Sequence, residues 1–553
     1  MASLALGLGM GLIVAAALVP SDTRAAMRLD AGGVKDGGTL VIAVPTFDFI
    51  DPALALDPTS SVSLTASVVA WGVEDASCAM LLRYPVGPPS TQDYTLVPEV
   101  ATGYPAVSRD GRTYTFTIRK GFRFSTGAPV TAGSYASAIN RVLNPAMRSP
   151  AAKYLQEVVG AYAMQQGTAQ TASGVQVAGN RLIIRLTKKV PDLPARMTMP
   201  YFCPVPPDLP IAPEGVAAPL PGSGPYYVAE FVRGSRVVLK RNPFYRGRRA
   251  HHLDQLVVQA GDLAETISRK VEAGEADVDL FVPLSRLSEL GAKYGVNKTQ
   301  FFSVRSANVF YLYLNTAGPL FRNNVKLRQA VNFALDRTAL LNTFGPHFGS
   351  RTDSYLPPGL PGYLNVHPYP VKYPDLKKAR ALARGHTRSG KAVIYACDNI
   401  NTDCTAKSQI VQYDLKQIGI DVQIESFPNP VWAAKLGTRR EPFDLAIDKY
   451  VVAWVDPYEY VNVQRDGRTI HATGNLDRSY FNSAHYNSLI DQAGSLSGSA
   501  RYDAYGRLAV DIARNAAPMA AFADRNTRFF VSSRVGCVSV AAHGLDLAGL
   551  CLK

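Results

Sequence analysis

Motifs that mark common enzyme classes are absent from this 553-residue sequence. There is no G-x-S-x-G nucleophile turn, no H-E-x-x-H zinc motif and no G-x-x-x-x-G-K-S/T phosphate loop. Gly222-Ser223-Gly224 has one residue too few between its glycines for the nucleophile turn, and we predict an ordinary turn there. Nothing in the sequence therefore argues for an enzyme, and a secreted hydrolase with an unrecognised site is the remaining catalytic alternative.

Closely spaced metal ligands are also missing. The six cysteines include no C-x-x-C pair, which structural zinc sites usually require. His251 and His252 are adjacent, and neighbouring side chains point apart on a helix or a strand, which disfavours joint ligation. We therefore predict no metal site and no cofactor.

Long apolar runs are scarce, and one uncharged run, Leu4–Val19, stands out at the N-terminal end. It is shorter than the roughly 20 residues that a membrane-spanning helix needs. Thr23 and Ala25 fit a signal-peptidase site, so residues 1–25 are predicted to be a signal peptide, with Ala26 as a second cleavage position. No Lys or Arg precedes the run, which leaves an uncleaved anchor or a start further upstream as alternatives. The first cysteine is Cys78, so the exported protein is not expected to carry a lipid-modified N-terminal cysteine.

The even number of cysteines fits export, because exported chains form disulfides. Two pairs are close enough in sequence to suggest local bridges, and the remaining two cysteines lie far apart. The candidate pairs are Cys397 with Cys404 around a polar loop, Cys537 with Cys551 near the C-terminal end, and Cys78 with Cys203. Six cysteines allow fifteen pairings, so other connectivities stay open.

The charge balance is positive, with 58 Lys+Arg against 44 Asp+Glu and a formal net charge of +14. Such a balance can indicate a nucleic-acid or anionic-membrane partner. The densest basic group, at residues 240–249, belongs to no recognisable nucleic-acid module, and the other basic residues are dispersed. We therefore predict a basic surface without a nucleic-acid partner.

Hydrophobic periodicity predicts a mixed α/β fold. Strands are predicted at 39–44, 114–119, 182–186, 237–239 and 421–424, with Tyr114, Phe116 and Ile118 on one buried face. A helix is predicted to start at Val325, with Asn323 or Asn324 as its N-cap. A second helix is predicted from Thr405 to Ile418, with Gly419 as its stop.

Several segments together carry a family resemblance. They are VPEVA at 97–101, SRDGRTYTFTIRKGFRF at 108–124 with Gly127 and PVTA at 129–132, GSGPY at 222–226 with RNPFY at 241–245, Asn315 with RQAVNFALD at 328–336, and GIDV at 419–422 leading to FDL at 443–445. This series, over roughly residues 38–535, resembles the family 5 extracellular solute-binding proteins, the oligopeptide, dipeptide and nickel receptors of ABC importers.

The resemblance implies an α/β, two-lobed periplasmic binding protein of type II, with mixed sheets, an extra subdomain and a hinge of two strands. Lobe I would comprise residues 38–72, 206–305 and 521–553, with the subdomain inserted at 73–205; lobe II would comprise 306–520. The resemblance further implies a monomer that binds a small solute or peptide between its lobes, performs no catalysis and works with ABC permease subunits in the inner membrane. A ligand sensor or scaffold of the same fold, not coupled to import, is the alternative.

The resemblance also indicates a place for the ligand. In peptide-binding members, a stretch similar to residues 444–457 carries a Trp and then an Asp that anchors the ligand's α-ammonium. Aligned without gaps on this stretch, Tyr450 takes the Trp position and Ala453 takes the Asp position. A buried ammonium without a partner costs about 3–5 kcal/mol, so a free peptide N-terminus needs another carboxylate. Asp448 and Asp456 are the nearest, and we favour a ligand other than an ordinary short peptide.

Aromatic side chains in and near this stretch are further candidates. Tyr450, Trp454 and Tyr458 are predicted to contact the ligand, because such rings bury a large area and keep a polar group. The alternative is that they are ordinary core residues of lobe II. Phe47 and Asp48 follow the first strand, at the position of the cleft loop of lobe I, and are predicted to contribute ligand contacts.

Overall fold

The computed structural model describes residues 27–28, 34–55, 64–89, 93–398 and 404–553. The predicted signal peptide, residues 1–25, lies outside the described residues. Within these ranges, no helix combines the length and the apolar character that crossing a membrane requires.

Strands and helices alternate along the chain, as the periodicity predicts. The described strands are β1 (Met27–Arg28), β2 (Thr39–Val44), β3 (Leu82–Arg83), β4 (Val97–Pro98), β5 (Ala106–Val107), β6 (Thr113–Thr117), β7 (Val175–Ala178), β8 (Arg181–Arg185), β9 (Tyr226–Val232), β10 (Arg236–Arg241), β11 (Gln255–Ala260), β12 (Val278–Asp279), β13 (Phe301–Leu314), β14 (Lys391–Asp398), β15 (Asp421–Pro428), β16 (Leu445–Tyr450), β17 (Met519–Val531), β18 (Val535–Val538), β19 (Val540–Ala541), β20 (Gly544–Leu545) and β21 (Cys551–Leu552). The described α-helices are α1 (Leu64–Ser77), α2 (Ala132–Leu143), α3 (Ala161–Gln165), α4 (Leu193–Arg196), α5 (Ala264–Ala273), α6 (Leu287–Tyr294), α7 (Val325–Ala334), α8 (Arg337–Asn342), α9 (Leu376–Ala383), α10 (Cys404–Lys416), α11 (Asn429–Leu436), α12 (Pro457–Arg465), α13 (Ala484–Ser495) and α14 (Gly498–Asp511).

A ten-stranded mixed sheet forms the frame, in the order β15-β14-β16-β13-β17-β12-β2-β11-β10-β9. The neighbours β13 and β17 are long and antiparallel, and their ladder changes register between Arg305 and Val309. Such an irregularity bends a strand locally. The bend separates the sheet into two halves that share these two strands.

Each half of the sheet has its own hydrophobic core. We call lobe I the half built on β2 and β9–β12, whose core includes Leu40, Val258 and Phe529. Lobe II is the half built on β14–β16, whose core includes Ile394 and Leu445. Two lobes joined by two long strands confirm the predicted fold class. The domain limits at 305/306 and 520/521 stay predictions; the first lies at the bend, and the second lies opposite Tyr311 and Leu312 of β13.

A smaller subdomain precedes β9 in the chain. Its antiparallel sheet, in the order β5-β6-β8-β7, packs against α2. Tyr114, Phe116 and Ile118 are all buried in its core, as the alternating pattern of β6 predicts. The subdomain core also contains Ala453 and Trp454, which follow β16 in the chain. The subdomain therefore packs directly against lobe II.

The predicted helices begin and end close to their expected positions. The helices α7 and α10 start at Val325 and Cys404, and Gly419 has a positive φ of 84°, which favours glycine after a helix. Asn324 is the N-cap residue of α7, one of the two predicted positions. Its side chain makes no cap hydrogen bond and instead donates to the carbonyls of Leu320 and His386, while Asn323 lies one residue further out.

The three predicted disulfides are all present. Cys78 pairs with Cys203, Cys397 with Cys404 and Cys537 with Cys551, with Cα–Cα distances of 5.5, 5.5 and 5.0 Å. The first bridge ties the end of α1 to the end of the subdomain. The third bridge closes the segment that carries the β19–β20 hairpin.

Candidate functional site

A cavity of about 130 Å³ lies where the two lobes meet the bent middle of β13 and β17. Its walls come from α1, from residues 306–308, from residues 451–452 just after β16, and from the β19–β20 hairpin. Both lobes and both long strands therefore border the same space. Concave sites between domains are the usual position of small-molecule sites.

One face of α1 forms the lobe I wall. Trp71, Glu74, Asp75 and Cys78 all line the cavity. Their spacing of i, i+3, i+4 and i+7 places them on one side of a helix. The wall therefore includes an aromatic residue, two acidic residues and a disulfide-bonded cysteine.

Glu74 is a buried acid without an internal partner. Its residue is 1% exposed, and neither side-chain oxygen has a hydrogen-bond partner in the described part of the chain. Burial, and secondarily the negative charge of Asp51, raise the pKa of Glu74 well above its usual range. Asp51 itself is held by Arg141 through two contacts of 2.6 and 2.7 Å, so that arginine is already engaged.

The neighbouring acid, Asp75, does have a partner. Its Oδ2 lies 3.4 Å from Nη1 of Arg249, and the same guanidinium contacts Glu99 through Nε at 2.9 Å. The Asp75 side chain is also 38% exposed, so solvent stabilises its charge. The two acids of this wall therefore differ: Asp75 is paired and partly solvated, whereas Glu74 is buried and has no hydrogen-bond partner in the described chain.

Arg525 brings a positive charge to the border formed by the long strands. Arg525 and Thr527 line the cavity, as expected of alternating residues on one face of β17. The side chains of Asp524 and Asn526 are used elsewhere: Asp524 accepts a 2.6 Å hydrogen bond from the Ser350 amide, and Asn526 donates to the Ser303 hydroxyl. Burial lowers the pKa of Arg525 to about 10, and no carboxylate offsets it. An anionic group entering the cavity would be attracted to this side chain.

Two aromatic rings complete the wall near α1. His543, in the turn between β19 and β20, makes an edge-to-face contact with Trp71 at a centroid distance of 5.0 Å. His543 is exposed at the cavity wall, and desolvation by the protein atoms around the cavity lowers its pKa to about 4, which favours the neutral imidazole at neutral pH. Nε1 of Trp71 is buried and has no acceptor among the described residues. Both side chains are therefore uncharged, and one keeps an unused donor.

The predicted aromatics lie next to the cavity but do not line it. Val451 and Val452 from the same stretch form that part of its wall. Tyr450 is buried in lobe II and donates a 2.7 Å hydrogen bond to Glu459. Trp454 is 2% exposed and meets Tyr154 of the subdomain edge-to-face at 5.3 Å. In this arrangement both rings pack the contact between the subdomain and lobe II.

Ala453 and Tyr458 belong to that same contact. Ala453 is fully buried, so the position of the anchoring Asp carries a methyl group and no charge. Tyr458 packs beside Trp454 at a centroid distance of 6.4 Å, and the Arg196 guanidinium lies over its ring at 5.3 Å. Their role in binding a ligand stays a prediction.

The two carboxylates proposed as substitute anchors are both engaged inside the protein. Asp456 forms a bidentate ion pair with Arg501, with distances of 2.6 and 2.9 Å, and its Oδ1 caps α12 through the amide of Tyr458. Asp448 lies 3.7 Å from Arg478 and accepts a hydrogen bond from the Lys449 amide. Neither lines the cavity.

Phe47 and Asp48 lie in lobe I, away from the cavity wall. Phe47 is 2% exposed and packs edge-to-face on Phe231 at 6.0 Å. Asp48 is half-buried. A ligand role for these two residues is likewise still a prediction.

Sequence reasoning missed the charged and aromatic residues of the wall. Glu74 had a usable signal, because it lies on the helical face that starts at Trp71 and ends at Cys78. Arg525 and His543 had none, since they lie in a strand and a tight turn whose pairing partners are distant in sequence. Among the described residues, no group of three or more His, Cys, Asp or Glu side chains is arranged to hold a metal ion.

Comparison with known proteins agrees with this architecture. The probable D,D-dipeptide-binding periplasmic protein DdpA of Escherichia coli (strain K12) is 24% identical over 505 residues, covering 89% of this chain and 86% of its own. The periplasmic oligopeptide-binding protein OppA of the same organism is 26% identical over 405 residues, covering 69% of this chain and 70% of its own.

The fold is shared with solved structures. That of clavulanic acid biosynthesis oligopeptide binding protein 2 superposes with a TM-score of 0.84 at 22% identity, covering 96% of this chain and 98% of the other. The model of the bacterial extracellular solute-binding proteins, family 5, matches residues 95–470. Because that match spans more than half of the sequence, the chain belongs to the family 5 bacterial extracellular solute-binding proteins, which bind their ligands and do not transform them.

Proposed function

We propose that this protein is the substrate-binding component of an ABC importer. It captures a peptide-like or other small solute in the cavity between lobes I and II and delivers it to permease subunits in the inner membrane. The observation that carries the proposal is the cavity itself, which both lobes and both long strands border. A ligand in that position contacts lobe I and lobe II together.

The hinge provides the coupling between capture and delivery. Residues 306–308 of β13 lie opposite Arg525 at the change of register, and all four residues line the cavity. Bending at this point moves lobe II, at about 306–520, against lobe I and its inserted subdomain. A ligand that contacts both lobes favours the closed form only by its differential affinity for that form.

Export supports a periplasmic location. Three disulfides close within the described chain, and disulfides persist in oxidising compartments such as the periplasm. The permease then meets a monomeric receptor on the outer side of the inner membrane. The two Escherichia coli relatives are periplasmic by name and support the same placement.

The ligand class departs from that of a receptor for ordinary short peptides. Ala453 leaves the expected ammonium anchor empty of charge, and Asp448 and Asp456 are paired with arginines. A peptide N-terminus would therefore have no carboxylate at the position that the family resemblance indicates. The ligand is expected to use other groups of the cavity wall.

Ligand-dependent thermal stabilisation tests the proposal. Purified protein is screened against peptides, amino-acid derivatives, opines, sugars and metal chelates by differential scanning fluorimetry, and the hits are measured by calorimetry. A true ligand at 100 times its Kd adds about 2.7 kcal/mol of stability. No stabilisation by any class, together with no co-purifying small molecule in native mass spectrometry, contradicts solute capture.

A further inference from the structure

The carboxyl group of Glu74 has no structural role that explains its burial. A buried carboxylate without a partner destabilises a fold, because its hydration is lost and nothing replaces it. Two arginines that pair with acids close to Glu74 are already engaged: Arg141 holds Asp51, and Arg249 holds Glu99 and Asp75. Neither oxygen of Glu74 has a hydrogen-bond partner in the described chain, and Glu74 lines the cavity, as does Arg525 on the long-strand border.

We propose that Glu74 binds the positively charged group of an organic cation, an alkylammonium or a guanidinium, and that the cargo of this receptor carries such a group. The proposal rests on the function proposed above and specifies its ligand class. It assigns the cation to α1 of lobe I, whereas the resemblance indicated the stretch at 444–457 of lobe II.

The surroundings of Glu74 suit a cation better than a neutral or anionic group. Trp71 is one helical turn away on the same face of α1, and the uncharged ring of His543 contacts it. Aromatic faces attract cations, most strongly where water is displaced. Asp51 and Asp75 add negative charge close to the site, although both have arginine partners. The local field therefore favours positive charge at this wall.

Arg525 makes the long-strand border of the cavity positively charged, in contrast to the acidic wall at α1. Its guanidinium repels a cation from the long-strand border, and it attracts any acidic group that the same ligand carries. Val451 and Val452 supply an apolar surface in the same cavity. A ligand with an apolar body and its cationic end toward α1 fits this arrangement.

Binding also explains how Glu74 can ionise. A cation that donates hydrogen bonds to the carboxylate replaces the lost hydration and favours the charged form. A guanidinium offers two parallel donors to the two oxygens, both of which are unused. Entry of the ligand therefore completes an ion pair of which the protein supplies one member.

The test uses arginine and agmatine as cationic probes and citrulline as the neutral isostere of arginine. Calorimetry and thermal shift are measured on the full chain, on Glu74→Gln and on Glu230→Gln. Glu230 is the matched control, because it is an exposed carboxylate on β9 of the same lobe. We expect the wild-type protein and Glu230→Gln to bind a cationic probe and to discriminate against citrulline. Glu74→Gln should bind the cationic probe about tenfold more weakly, or worse still.

The variant is expected to fold, because the amide has nearly the same shape as the carboxyl group and removes an unpaired acid. Far-ultraviolet circular dichroism checks this, and Glu74→Asp, which keeps the charge, provides a second variant with intermediate affinity. Equal affinities of Glu74→Gln and wild type for a cationic ligand overturn the assignment. So does binding of only neutral or anionic library members, an outcome that leaves solute capture intact. Absence of binding by every class instead contradicts the proposed function itself.

Discussion

Buried carboxyl groups occur here in two different situations. Asp456 is 3% exposed and is neutralised by a bidentate ion pair with Arg501, whose side chain is equally buried. Glu74 is just as buried but lacks any such partner in the described chain. The first arrangement holds elements of lobe II together. The second leaves a buried acid without an internal partner.

Replacing Asp456 by Asn should destabilise the protein without changing ligand specificity. The change leaves the Arg501 guanidinium buried and unpaired, which costs about 3–5 kcal/mol. Urea unfolding followed by circular dichroism measures the loss, with Asp421→Asn, an exposed carboxylate on β15, as the control. A variant that unfolds like wild type but loses ligand affinity would instead return Asp456 to the ligand-binding role that the sequence suggested.

At this scale the sequence located a stretch that lies beside the cavity, while the ligand roles of its side chains stay predictions. The alignment on 444–457 found residues beside the cavity. It could not show that Val451 and Val452 face the cavity while Tyr450 and Trp454 face packed cores. Side-chain direction in the irregular segment after β16 depends on contacts with Tyr154, which is distant in sequence.

Among the elements, the short β19–β20 hairpin contributes to the cavity wall. Each of its strands has two residues, yet its turn brings His543 against Trp71 of α1. The Cys537–Cys551 bridge closes the segment around it, with a sequence separation of 14. The hairpin thus depends on a covalent closure to hold its side of the cavity.

Replacing Cys537 and Cys551 by serine should lower stability by about 3 kcal/mol, the loop-entropy estimate for a closure of this length. It should also weaken ligand binding, because the ring of His543 loses its fixed position. Thermal unfolding and calorimetry measure both effects. The double variant of Cys397 and Cys404 is the control, since neither residue lines the cavity. Unchanged affinity in the Cys537/Cys551 variant contradicts a role for the hairpin in the site.

Sequence reasoning was most accurate in predicting individual helices and strands. The strand at residues 114–118 and the helix from Val325 each follow a local hydrophobic periodicity that can be read directly from the sequence. The N-cap position of α7 was predicted correctly, but the Asn324 side chain does not cap the helix, because its amide donates to the carbonyls of residues 320 and 386. Competing tertiary hydrogen bonds of this kind have no local signature.

The molecule as a whole consists of two cores on a shared pair of strands. The register change between Arg305 and Val309 lies between those cores and against the cavity. Tyr460 donates a hydrogen bond from lobe II to the carbonyl of Ala307, at the centre of the bend. A small rotation there displaces whole lobes, since the flanking sheets are packed and resist deformation.

A bound ligand should therefore make the protein more compact in solution. Small-angle X-ray scattering of the free and ligand-saturated protein should show a smaller radius of gyration with ligand, while circular dichroism shows unchanged secondary structure. Glu74→Gln at the same concentration of a cationic ligand should keep the free value. An identical radius in both states, at saturation confirmed by calorimetry, contradicts hinge closure.

The Cys78–Cys203 bridge affects the entropy cost of binding a ligand. It joins the end of α1 to a segment whose Thr198 and Pro200 also border the cavity. Those two walls are consequently fixed relative to each other by the disulfide before any ligand binds. Ordering them costs no affinity at each encounter with a new molecule. In the hinge closure proposed above, these two walls therefore keep their relative positions, and only the lobe II side of the cavity needs to move.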